Sequence, residues 1–98
     1  MADYYIYSVH QENDIIKTVK TCTFYISTIL TNKKEKTREE VVYDIDQGNK
    51  TIYTIYKNSS GKYELGAKVI TETIEGKKYI KTKANGKKCD NLDNIEQY

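Results

Sequence analysis

The segment between residues 37 and 48 constrains the fold most, because it carries a helix start, an apolar face and a helix end together. Thr37 is a favoured N-cap residue, and Glu40 three positions later completes a capping box. Gly48 can adopt the left-handed conformation that ends many helices. Apolar residues at spacings of three and four form one stripe: Val41, Val42 and Ile45. Because a helix of about ten residues is not stable alone, the pattern predicts a helix at about 37–47 that packs on a sheet.

Segments with the period-two alternation of strands lie on both sides of this helix. The predicted strands are residues 4–9 and 15–22 before the helix, and 51–57, 63–73 and 78–83 after it. The Asn85-Gly86 pair favours a tight turn into a short sixth strand at 87–89. Residues 24–30 either extend the second strand or form a separate edge strand, and residues 33–36 are predicted to be a solvated loop. The fold class is therefore α+β, with one short helix on a mostly antiparallel sheet of five or six strands in the order β-β-α-β-β-β.

Length and composition indicate one small domain covering residues 1–98. Charged residues make up 31% of the chain with a net charge of +2, which is typical of a soluble globule rather than a disordered chain. No apolar run approaches the roughly 20 residues that cross a bilayer, and the first residues lack a secretory signal, so we expect a cytoplasmic protein. In that compartment Cys22 and Cys89 are expected to be reduced thiols, with a disulfide or redox switch as the alternative.

The residues of a catalytic or metal site are sparse. His10 is the single histidine, in a predicted turn, and no serine or cysteine adjoins it. Asp44 and Asp46 lie two positions apart on the predicted helix and point in different directions. The oxygen-bearing side chains between residues 90 and 94 do not follow the spacing of a calcium loop and are typical of turn caps. We therefore predict no catalytic residues, no metal and no cofactor.

A basic cluster near the end of the chain is the most suggestive feature for binding. Six lysines lie between residues 77 and 88 without an acidic residue among them. A lysine-bearing hairpin beside a tyrosine could bind a polyanion and stack a base. The predicted ligand-binding residues are Lys78, Tyr79, Lys81, Lys83, Lys87 and Lys88. The alternative is that these lysines only keep a sheet edge from pairing with other chains. With Arg38 as the one arginine, sequence-specific base reading is not expected.

Two segments also resemble a known family of small bacterial and phage proteins. Residues 37–49 look like its T-R-E-E-V-[apolar]-x-x-I-x-x-G-N helix, and residues 78–92 look like its Y-I-[RK]-T-x-x-[DN]-G-x-x-x-D-N-L terminal hairpin. The opening Tyr-Tyr-Ile-Tyr-Ser-Val strand also fits. The chain thus resembles domain of unknown function 3892 over about residues 4–95. It departs from that pattern at residues 23–36, which are longer and more apolar, and at its last residues. The resemblance implies an architecture and no activity.

Three functional hypotheses follow. The first is a non-catalytic binding module for an anionic ligand, such as a nucleotide or nucleic acid, held by the basic hairpin. The second is a protein-interaction or sequestering module that binds a host protein or forms a homo-oligomer, through strand edges or residues 24–30. The third is a small enzyme, which requires His10 and a cysteine to meet a carboxylate in one pocket.

Overall fold

The computed structural model describes residues 2–12, 15–82 and 95–98. Strands β1 to β5 are Tyr4–Glu12, Ile15–Cys22, Phe24–Ile26, Ile29–Thr31 and Lys34–Thr37. Helix α1 follows at Arg38–Asp46. Strands β6 to β10 are Ile52–Lys57, Tyr63–Lys68, Ile70–Ile74, Lys77–Lys81 and Glu96–Gln97.

One six-stranded main sheet organises the molecule, in the order β5-β2-β1-β6-β7, with β10 also paired to β1. Strands β1 and β2 form the predicted antiparallel hairpin. Strand β6 runs parallel to the first residues of β1, with Tyr4 opposite Ile52. Strand β10 runs parallel to a later part of β1, with Ser8 opposite Glu96. Two separate hairpins, β3–β4 and β8–β9, accompany this sheet.

The predicted topology, a mostly antiparallel sheet in the order β-β-α-β-β-β, is wrong. Five strands precede the helix, and the main sheet mixes parallel and antiparallel pairs. Because β5 is antiparallel to β2 and β2 is antiparallel to β1, strands β5, β1 and β6 all run in one direction. Helix α1 therefore connects two parallel strands, and such a connection has to cross over the sheet.

Three local predictions before and after the helix are also corrected or resolved. The predicted loop at 33–36 is largely strand β5, which pairs with the free edge of β2 and protects it with lysines. The predicted strand at 63–73 divides at the buried Val69 into β7 and β8, which belong to different sheets. Residues 24–30 neither extend β2 nor form a single edge strand, because β3 and β4 pair with each other in a short separate hairpin. The predicted Asn85-Gly86 turn and the strand at 87–89 lie outside the described residues.

The predicted helix start is confirmed atom by atom. The Thr37 hydroxyl accepts a hydrogen bond from the Glu40 amide at 3.2 Å, and the Glu40 carboxylate accepts one from the Thr37 amide at 3.0 Å. Val41 is fully buried, while Val42 and Ile45 pack partly buried against the core. The helix end differs from the prediction, because the residue with positive φ is Asn49 rather than Gly48.

Removing this cap should weaken the fold measurably. We expect Thr37→Ala to lower the free energy of unfolding by about 1 kcal/mol, because the Glu40 backbone amide loses its hydrogen-bond acceptor. Urea denaturation followed by circular dichroism measures the change. Thr28→Ala, in the exposed turn between β3 and β4, is the matched control and should change stability by less than half as much. Equal losses in the two variants would contradict the assigned cap.

The two faces of β1 have different surroundings because successive side chains of a strand point to opposite sides. Tyr4 and Ile6 belong to the core beneath α1, which is composed of Tyr4, Ile6, Val9, Ile16, Val19, Val41, Ile52, Val69 and Ile80. Tyr5 and Tyr7 point the other way and meet Tyr25 and Tyr63 edge-on, at ring-centroid distances of 5.0 and 6.4 Å. The hairpin β3–β4 therefore covers the side of the sheet opposite the helix.

Candidate functional site

The structure divides the predicted ligand-binding residues into buried, exposed and undescribed members. Lys81 is fully buried and its ammonium donates to the Glu72 carboxylate. Tyr79 is also buried, whereas Lys78 is exposed and donates to Asp46. Lys83, Lys87 and Lys88 lie outside the described residues. Among the described members of the predicted site, Lys78 alone reaches solvent, and binding by the terminal hairpin stays a prediction.

Tyr79 is the centre of a positively charged region. The Arg38 guanidinium carbon lies 5.5 Å from the Tyr79 ring centroid, and the Lys77 and Lys81 ammonium nitrogens lie 5.7 and 5.8 Å from it. Arg38 also donates to the carbonyl oxygen of Lys78. Cations within about 6 Å of an aromatic face are attracted by the ring quadrupole, so the Tyr79 ring favours these positions of the three charges.

A groove of about 410 Å³ lies between helix α1 and the turn that joins β8 to β9. We call it the helix groove. Val42 and Tyr43 supply apolar surface on the helix side, and Tyr43 is 63% exposed. The full lining is Arg38, Glu39, Val42, Tyr43, Asp46, Gln47, Gly76, Lys77 and Lys78. Its volume falls within the range of small-molecule sites, roughly 300 to 1,000 Å³.

Asp46 is held in place at one side of this groove. Its carboxylate accepts hydrogen bonds from the Lys78 ammonium and from the Thr71 hydroxyl, the latter at 2.8 Å. These two bonds, the one from Lys78 first, hold the pKa of Asp46 below its usual range. Lys77 differs from Lys78, because within the described ranges no carboxylate lies at salt-bridge distance from its ammonium.

A second charged network fixes the helix to the sheet. Asp44 is buried and accepts hydrogen bonds from the Tyr4 hydroxyl at 2.8 Å and from the Lys36 ammonium at 2.9 Å. Burial raises the pKa of the Asp44 carboxyl, but the bonds from Lys36 and Tyr4 together outweigh it and leave the pKa lowered. Burial and the bond to Asp44 raise the pKa of Tyr4. Asp44 and Asp46 therefore belong to different hydrogen-bond networks, as expected for side chains two positions apart on a helix, which point in different directions.

The hairpin β3–β4 presents an apolar surface to solvent. Ile26 pairs directly with Ile29, and Phe24 lies two positions before Ile26, so the three side chains share one face. They are 56–60% exposed. Tyr25 and its cross-strand partner Leu30 point to the other face, where Tyr25 packs on Tyr5. We call Phe24, Ile26 and Ile29 the apolar hairpin face.

His10 and Cys22, the described residues of the enzyme hypothesis, lie at different points along the β1–β2 hairpin. His10 lies in strand β1 rather than in a turn, with Nδ1 2.7 Å from the Tyr98 carbonyl oxygen and Nε2 3.2 Å from the Glu12 carboxylate. The Tyr98 carbonyl, followed by Glu12, raises the pKa of His10. Burial raises the pKa of the Cys22 thiol to about 11, which disfavours the reactive thiolate. Cys89 lies outside the described residues.

Within residues 2–12, 15–82 and 95–98, no three His, Cys, Asp or Glu side chains are arranged to hold a metal ion. In this part of the chain, no helix has the length and apolar character needed to span a membrane.

Comparison with known proteins identifies the family. A protein-family model described as "Protein of unknown function (DUF3892)" matches residues 5–96, which is most of the chain. The chain belongs to the DUF3892 family. No curated protein and no solved structure matches it. Of the two stretches that carry the resemblance, residues 37–49 of this DUF3892 domain contain the capped helix α1, and residues 78–82 begin the second, whose remainder is undescribed.

Two features of the DUF3892 domain were missed by sequence reasoning. The helix groove combines residues 38–47 with residues 76–78, and nothing in their local patterns predicts that they meet. The burial of Lys81 was also missed, because a lysine in a basic run is normally exposed. The apolar hairpin face was signalled in part by residues 21–32, which contain no charged residue in a chain that is 31% charged.

Proposed function

We propose that this DUF3892 domain is a non-catalytic protein-interaction module that associates with a second copy of itself through the apolar hairpin face. The exposure of Phe24, Ile26 and Ile29 on one face carries the proposal. Large apolar side chains grouped on an exposed face mark interaction surfaces, because burying them removes apolar area from water.

The charge of this surface supports a second copy as the partner. No charged residue occurs between positions 21 and 32, so two such faces can meet without repulsion between like charges. A strongly charged partner surface would lose hydration on contact and gain no ion pair in return.

The ends of the main sheet favour association through the hairpin face rather than through strand edges. Strand β5 carries the exposed charged residues Lys34 and Glu35, which deter edge pairing. Strand β7 has a register shift opposite Thr54, and a side chain at Gly66 would lie 2.3 Å from the Thr54 hydroxyl. A register shift of this kind is a β-bulge, and bulges deter edge pairing. The amide of Tyr63 at the start of β7 already donates to the Ser27 carbonyl, so it is not available to another strand.

The size of the surface sets the expected strength. Three side chains that are each somewhat more than half exposed offer about 300 Å² per copy, or about 600 Å² in a dimer before the rim is added. Stable interfaces bury roughly 1,200 Å² or more, so the dimer should be weak. We expect a dissociation constant between about 10 µM and 1 mM, corresponding to roughly −7 to −4 kcal/mol.

Sedimentation equilibrium over a series of protein concentrations tests this proposal. The wild-type domain should show a mass that rises with concentration toward that of a dimer. Ile26→Thr combined with Ile29→Thr should remain monomeric, because threonine retains the strand preference and removes apolar area. The control Tyr43→Gln alters an equally exposed residue on helix α1 and should associate like the wild type. A wild-type mass that stays monomeric to about 1 mM would refute self-association.

A further inference from the structure

The helix groove has the properties of a small-molecule site, separate from the apolar hairpin face. We propose that it binds small ligands that combine an aromatic ring with one anionic group. None of its lining residues belongs to the apolar hairpin face, so this inference stands or falls independently of self-association.

The apolar part of the ligand is indicated by the helix side of the groove. Val42 is partly buried and forms an aliphatic floor, and Tyr43 presents a largely exposed phenol ring beside it. Gly76, at the opposite side, has a φ of +80° and no atoms within 4 Å of the position that a Cβ would occupy. A flat ring can therefore enter between Tyr43 and the turn without meeting a side chain at position 76. Aromatic rings bind well in offset or edge-on contact with tyrosine.

The anionic part is indicated by the balance of charge around Tyr79. Lys78 is matched by Asp46, and Lys81 is matched by Glu72. Lys77 is positioned over the Tyr79 ring, is exposed, and has no carboxylate at salt-bridge distance in the described part of the chain. Its ammonium is thus a cation at the groove whose charge is open to a ligand.

The acidic residues of the groove limit the ligand to one anionic group. Glu39 and Asp46 line the same cavity as Lys77. A second anionic group, or an extended polyanion, would be brought near the Glu39 carboxylate and repelled, whereas the charge of Asp46 is already paired with Lys78. The preferred occupant is therefore a compact aromatic anion rather than a nucleic-acid strand.

Amide NMR titrations with adenosine monophosphate, adenosine and inorganic phosphate test this inference on the wild-type domain. Adenosine monophosphate should shift the amide signals of Tyr43, Gly76 and Lys77, and it should bind about tenfold more tightly than adenosine or phosphate. Equal binding by phosphate would refute the aromatic contact, and equal binding by adenosine would refute the anionic one. Shifts confined to other residues, or no shifts at all, would overturn the proposal.

Variants locate the site within the same experiment. Lys77→Gln and Tyr43→Gln should each weaken binding of adenosine monophosphate about tenfold. Lys62→Gln removes an exposed lysine from the turn between β6 and β7 and should leave binding unchanged. All these residues are on the surface, so the variants should fold, and the amide spectrum of each verifies it. If the Lys62 variant lost as much affinity as the Lys77 variant, binding would be a nonspecific charge effect and the groove assignment would be wrong.

Discussion

Ile6→Ala should lower the free energy of unfolding by about 3 kcal/mol, the largest loss that we expect from a single core substitution. Ile6 has no exposed surface and lies at the centre of the core beneath helix α1. It also belongs to the short stretch of β1 that pairs with β2 on one edge and with β6 on the other. Because both neighbouring strands fix the backbone, the cavity left by the side chain cannot collapse easily. Urea denaturation at neutral pH measures the change.

Ile26→Ala provides the control for that loss. It makes the same chemical change on the apolar hairpin face, where the side chain is 59% exposed. We expect a stability change within about 0.5 kcal/mol, measured at a protein concentration where the monomer predominates. Similar losses at the two positions would mean that the core and the open hairpin face have been assigned incorrectly.

Asp44→Ala should be comparably damaging, with an expected loss of about 2 to 4 kcal/mol. The change removes the acceptor of both the Tyr4 hydroxyl and the Lys36 ammonium, and it leaves these groups in a region that little water reaches. Removing one partner of a buried pair costs more than the pair itself contributes, because the remaining group has lost its hydration. Glu39→Ala, an exposed acidic residue on the same helix, should change stability by less than about 0.5 kcal/mol.

The pH dependence of the Asp44 effect has a definite sign. The pKa of Asp44 is lower in the folded protein than in the unfolded chain, so the ionised carboxylate stabilises the fold above the unfolded value. That contribution is lost as the pH falls through the folded pKa. The stability difference between wild type and Asp44→Ala should therefore be full at pH 7 and decrease below about pH 4. A difference that grew on acidification would contradict the network.

The elements that the sequence predicts well are those whose signals are local. The capping box needs only residues 37–40, and the hairpin β1–β2 needs only the alternation of its own two strands. Each of these stabilising contacts forms between residues that are close along the chain. Residues 24–30 were one of the two association surfaces hypothesised from the sequence, and strand edges were the other.

The incorrect parts depend on pairing between distant residues. The paired residues of β1 and β6 are 48 positions apart in the chain, and no local pattern distinguishes parallel from antiparallel pairing there. Strand β5 looked like a loop because Lys34, Glu35 and Lys36 are polar, a composition that also suits a sheet edge. Lys81 looked exposed for the same reason, although the nearby Glu72 and the Tyr79 ring compensate its burial.

Association through the apolar hairpin face is tested most directly by following amide NMR signals as the wild-type domain is diluted from about 1 mM to about 10 µM. We predict concentration-dependent shifts centred on residues 24–30. The signal of the exposed Leu65 should also shift, because its strand β7 begins at Tyr63, whose amide donates to the Ser27 carbonyl in the turn between β3 and β4. The signals of helix α1 and of strand β5 should stay constant. A spectrum that does not change on dilution, or changes centred on the β5 edge, would contradict association through this face.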